Sequence, residues 1–145
     1  MIGKTIHELT VGQSAEFSKT LSETDVYQFA GITGDFNPAH VNQAFAEKSH
    51  FKQRIAHGML SASFISTVIG MQLPGTGTIY VEQEVKFLAP VFIGDTITAR
   101  VEVSEIDVNK NRARLITRCF NQHDQTVVEG SAVVSPTKRK ATDGQ

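Results

Sequence analysis

From Gln13 to Leu21 the apolar residues Ala15, Phe17 and Leu21 fall on alternate positions, with Lys19 interrupting them, and this period of two predicts a first strand at a sheet edge. Ser22 to Asp25 then offers an N-cap serine and an acidic first turn, and Val26, Phe29, Ala30 and Thr33 share one face of a helix that delivers the chain to Gly34. Beyond a loop, Ala44, Phe45 and Lys48 suit a second short helix, whereas Ser49 to Arg54 is too polar and irregular for a core element and should overhang the body. Leu60, Phe64, Ile65, Val68, Ile69 and Met71 then cover most of the circumference of a long helix closed by Pro74 and Gly75, which is the pattern of a helix buried in a core.

After Thr76 the period returns to two. Ile79, Val81, Val85 and Phe87 alternate; so do Ile97, Ala99, Val101 and Val103; and two more such runs cover residues 112–121 and 126–134. The joins carry Gly94-Asp95, Asn109 to Asn111 and Asn121 to Asp124, all turn chemistry, with no room for crossover helices, so the sheet should be antiparallel. One buried helix ahead of these strands, with an earlier strand to add, implies an α+β domain in which the sheet wraps the helix. Residues 1–136 read as one domain, and 137–145, almost without apolar residues, as a disordered tail.

Composition excludes more than it selects. At 145 residues and a formal net charge of −1, the chain has neither the basic excess that draws nucleic acid nor an apolar run long enough to span a membrane. Its first residues resemble neither a signal nor a transit peptide, so a cytoplasmic protein is expected. The lone cysteine, Cys119, sits among Leu115, Ile116 and Phe120 and reads as a small core residue. No pair of histidines has zinc-binding spacing and there is no cysteine cluster, so no metal is expected.

Candidate chemistry is concentrated between Phe29 and His40. This stretch brings a carboxylate, Asp35, and an imidazole, His40, into one short and mostly uncharged loop, with Asn37-Pro38 setting a turn between them. Gly34 offers a permissive backbone and Asn37 a side chain that can bond its own loop, so both read as support for an acid/base pair.

An aromatic residue followed by Gly-Asp-Phe-Asn-Pro-Ala-His, here Phe29 and Gly34 to His40, resembles the signature of the MaoC-like, (R)-specific enoyl-CoA hydratase family. Ala56-His-Gly-Met-Leu60 and Lys86 to Thr96 match two further segments of that family. The resemblance implies a hot-dog fold, an Asp35–His40 catalytic dyad, the Gly58 backbone N–H as oxyanion donor, and a homodimer. It also implies that trans-2-enoyl-CoA is hydrated reversibly to the (R)-3-hydroxyacyl thioester, with CoA part of the substrate and no separate cofactor.

That chemistry needs a held water, a proton for Cα and a donor to the thioester oxygen; Asp35, His40 and the N–H of Gly58 at a helix N-terminus suit these tasks. Ser66 is a candidate to orient Asp35 or touch the thioester, and Ile69 a candidate for the acyl pocket. His57 reads as a residue that stabilises the turn before Gly58, and His7, His50 and His123 as surface residues. Lys52, Arg54 and Lys86 are possible partners for the phosphates of CoA. Rival readings are a 3-hydroxyacyl dehydratase acting on acyl carrier protein, a thioesterase, and a non-catalytic acyl-thioester-binding subunit.

Overall fold

The computed structural model describes residues 2–138, so most of the tail expected to be disordered, from position 139 on, lies outside the described residues. After a short 3₁₀ turn at Ile6–Glu8 come β1 (Ser14–Thr20), α1 (Glu23–Thr33), α2 (Pro38–Val41), α3 (Gln43–Glu47), α4 (Gly58–Met71), β2 (Ile79–Phe87), β3 (Thr96–Asp107), β4 (Arg112–Phe120) and β5 (Thr126–Ser135). The strands form one antiparallel sheet in the order β1-β3-β4-β5-β2. Among the described residues, no helix is long and apolar enough to cross a membrane.

Alternation along β3 and β4 turns Ala99, Val101, Val103, Ala113, Leu115 and Cys119 onto one face, where they meet Leu60, Phe64, Ile65, Val68 and Ile69 of α4. All are buried, and each large one contributes about 1.5–3 kcal/mol of apolar burial. Cys119 is a core residue, as its neighbours in the sequence suggest. Its thiol donates to the Ser61 carbonyl at 3.4 Å, and burial pushes its pKa up to about 12, which keeps it from acting as a thiolate.

Two sequence expectations need correction. Met71, counted with the buried face of α4, is 73% exposed, because the helix ends there and the sheet covers only one of its sides. The apolar positions Ile79, Val81 and Phe87 of β2 are also exposed, since β2 is an edge strand paired only with β5. Val85 alone of that alternating set packs against the core.

The start of α1 is fixed by a reciprocal cap. Ser22 Oγ accepts the Asp25 N–H at 3.1 Å, and Asp25 Oδ2 accepts the Ser22 N–H at 2.9 Å. The Ser22 N–H, with Lys19 beside it, holds the Asp25 carboxyl below its ordinary value. Its contribution is therefore present above the ordinary carboxylate range and is lost as pH falls through the lowered value. Ser22→Ala should destabilise the protein by about 1 kcal/mol in urea unfolding at neutral pH; an unchanged midpoint would mean that the cap adds nothing.

Candidate active site

The helix cap at the other end of α1 sets the geometry. Gly34, at φ +80°, takes the left-handed conformation that closes the helix, and its N–H reaches the Ala30 carbonyl at 2.8 Å. Thr33 Oγ donates to the Phe29 carbonyl at 2.8 Å and accepts the Asp35 N–H at 3.2 Å. Asp35 Oδ1 accepts the Asn37 N–H at 3.1 Å, and Asn37 Oδ1 accepts the Ala39 N–H at 3.1 Å, capping α2 with Pro38 at its first position. The single turn of α2 carries His40 back toward Asp35.

The half-buried His40 has its Nδ1 2.7 Å from the Ile55 carbonyl. A carbonyl only accepts, so Nδ1 carries the proton and Nε2 of the neutral ring holds the lone pair. By the same reasoning, the buried His57 donates from Nε2 to the Asp35 carbonyl at 2.9 Å. Its ring stacks on His40 with centroids 3.9 Å apart and planes 28° apart, and Phe29 lies at 4.9 Å from it. Sequence reasoning assigns His57 only a turn role; its one signal is its place immediately before Gly58.

Asp35, His40 and His57 each present a ligand-type atom within 4.8 Å of the others. A water bonded at about 2.8 Å to two acceptors spans about that separation. Zinc, with bonds of about 2.0–2.1 Å, needs its donors about 3.4 Å apart, closer than the 4.8 Å span here. The arrangement as it stands suits a proton-transfer pair better than a metal.

His57 also precedes α4, whose first residue is Gly58. The N–H of a residue in that position has no partner within its own helix, and it points outward at the positive end of the helix dipole. Gly58 borders a cavity of about 450 Å³ lined mainly by apolar residues, including Phe51, Ile55, Met59, Phe87 and Leu88. The cavity approaches His40 through Ile55, whose carbonyl the His40 ring bonds. A Cβ on Gly58 would lie 2.6 Å from Cδ1 of Phe87, so Phe87 packs on the start of α4 only because residue 58 has no side chain.

The remaining candidates lie elsewhere. Ser66 is exposed eight residues further along α4, about 12 Å along the axis, and makes no hydrogen bond to Asp35. Ile69 is buried in the core, and neither residue lines the cavity. Arg54 is not free for a phosphate, because its guanidinium bonds Glu23 at 2.5 Å and the Tyr27 hydroxyl at 2.8 Å; Lys52 and Lys86 remain exposed. His7, His50 and His123 are exposed as well.

Comparison with known proteins places these residues in a family. The family described as MaoC like domain matches residues 7–121. An (R)-specific enoyl-CoA hydratase of Rhodospirillum rubrum is 52% identical over 127 residues, covering 88% of each chain. A 3-hydroxybutyryl-CoA dehydratase of Methylorubrum extorquens is 43% identical over 94% of this chain and 86% of its own. Among solved structures, an unliganded R-hydratase of Pseudomonas aeruginosa superposes with a TM-score of 0.90 at 44% identity, covering 94% of this chain and 88% of that one. The fold is the α+β hot-dog of these hydratases.

Proposed function

The chain belongs to the MaoC-like domain family, and from that premise we propose that it is an (R)-specific enoyl-CoA hydratase, adding water reversibly to trans-2-enoyl-CoA. The observation that carries this reading is a carboxylate and the imidazole of His40, each with a ligand-type atom within 4.8 Å of the other, in a loop beside a helix N-terminus that opens on an apolar cavity. The relatives named above act on CoA thioesters by their names, which favours CoA over acyl carrier protein.

In this mechanism one water donates to the Asp35 carboxylate and to His40 Nε2, leaving an oxygen lone pair for Cβ of the enoyl group. As the O–Cβ bond forms, the water gives up a proton to the dyad and the π electrons move onto the thioester oxygen. The Gly58 N–H and the α4 dipole stabilise that charge. The enolate then takes a proton at Cα from the dyad, so the net change is the addition of one water across the double bond. Because both additions come from the dyad's side of a planar substrate, they are syn.

Purified protein should lower the conjugated thioester absorbance of crotonyl-CoA to an equilibrium value and yield a product oxidised by an (R)-specific dehydrogenase. Absence of turnover with crotonyl-CoA, longer enoyl-CoAs and carrier-bound substrates, alongside retained thioester binding, would establish a binding subunit instead. Release of free CoA without a hydroxyacyl product would establish a thioesterase.

The proposal includes a homodimer. The unpaired β2 edge carries the exposed Ile79, Val81 and Phe87, and the uncovered side of α4 carries Met59 and Met71. A second copy adding its own β2 would satisfy the edge and cover these side chains. Phe87 and Met59 also line the cavity, so that copy would border the substrate's entrance. Sedimentation at micromolar concentration should give the mass of two chains; a monomer would overturn this part of the reading.

A further inference from the structure

We propose that His57 is a positioning residue of this site, whose Nε2–H bond to the main chain of Asp35 sets where the carboxylate stands relative to His40. The assignment rests on the hydratase reading. His57 is 2% exposed and does not line the cavity, so it acts on the reaction only through its neighbours.

Three contacts make the ring a common reference for the site. Its Nε2 donates to Asp35 at 2.9 Å, its face lies against His40 at 3.9 Å, and its own backbone leads directly into Gly58 at the start of α4. The other bonds around Asp35 are local to its loop, to Thr33 and Asn37, and cannot fix that loop against α4. His57 joins Asp35 to the start of α4, while the bonds of Ala39 and His40 to Ile55 anchor the other end of the loop.

The second nitrogen shows that packing alone does not explain the residue. Nδ1 is buried and has no hydrogen-bond partner, so the Nε2 bond to Asp35 is the ring's polar anchor. An apolar side chain of similar volume would fill the space without leaving a buried acceptor unsatisfied. The ring's one use for its polarity is Asp35.

Two substitutions separate the contacts. His57→Phe keeps a flat ring against His40 and removes the donor; His57→Gln keeps an N–H donor at about the reach of Nε2 and removes the ring. With crotonyl-CoA, His57→Phe should lower kcat by about 10²-fold, the size of loss that a displacement of about 1 Å produces, with KM within about threefold. His57→Gln should stay within about tenfold of native kcat. Amide hydrogen exchange at Asn37, whose N–H bonds the Asp35 carboxylate, should accelerate in His57→Phe and return toward the native rate in His57→Gln.

Native kcat in His57→Phe, or equal losses in both variants, would overturn the proposal. If the larger ring prevents folding, His57→Leu removes the same donor with less bulk and carries the same expectations. Should the native protein hydrate no enoyl thioester, the hydratase reading fails and the exchange measurement decides the positioning role by itself. Unchanged Asn37 exchange then overturns it, and acceleration reversed by glutamine upholds it.

Discussion

Asp35→Asn should lower kcat for enoyl-CoA hydration by roughly 10²–10⁴-fold while leaving the protein folded, the range in which acid/base groups contribute. The amide preserves the shape of the side chain and keeps an oxygen to accept the Asn37 N–H, so the loop should hold its conformation. It removes the anionic acceptor for the attacking water. Asp35 is exposed, so its replacement leaves no buried charge unpaired. His40→Ala should give a loss of similar size, and the double variant should lose much less than the product of the two, because in the proposed mechanism both residues hold one water. Initial rates read from thioester absorbance, with thermal unfolding as the folding control, test this. A single Asp35→Asn rate within tenfold of native would remove the residue from the mechanism.

Gly58→Ala should cost roughly 10²–10³-fold in kcat, comparable with loss of an oxyanion donor, although the N–H remains. The added methyl would meet Phe87 at 2.6 Å and 2.8 Å from two ring carbons. Phe87 is half exposed and can turn away, so the fold should survive. The methyl then stands beside the N–H, where the thioester oxygen must arrive. Gly58→Ala combined with Phe87→Ala separates the causes. Persistence of the loss places the methyl in the substrate's path, and recovery to native rate would reduce the role of Gly58 to packing against Phe87.

The fold was legible to the extent that it depends on alternation. β3 as far as Val103, and β4 throughout, bury every second residue, because both are central strands with a neighbour on each side and α4 on one face. The pattern failed for Ile79 and Val81 because a register shift between Tyr80 and Glu82 breaks the alternation there, and for Phe87 because alternation shows which side chains share a face but not whether this chain covers that face. Met71 misled for a related reason: periodicity marks a side of a helix, and only packing shows how far along the helix that side is covered. The loop from Gly34 to His40 was legible because Gly, Asp, Asn and Pro each have a local bonding habit, and the Asp35–Asn37–Ala39 bonds follow from it. The bond from His57 to Asp35 spans 22 residues, and no local rule reports it. Arg54 was offered to a phosphate for the same lack of tertiary information; its true partners, Glu23 and Tyr27, lie on α1.

That last contact bears on how the two halves of the proposed dyad move. Asp35 hangs from the C-terminal end of α1, while His40 is bonded to the carbonyl of Ile55, next in the chain to Arg54, which is moored to the N-terminal half of α1. Both halves are thus mounted on the same helix. Tilting of α1 against the sheet carries them together, and the gap between carboxylate and imidazole is insulated from that motion. The His57 bond to Asp35 holds the pair to the residue before Gly58 as well, so the coupling extends to the start of α4. Thermal breathing of this protein should therefore leave both the proposed grip on the water and the distance from the pair to the Gly58 N–H nearly constant.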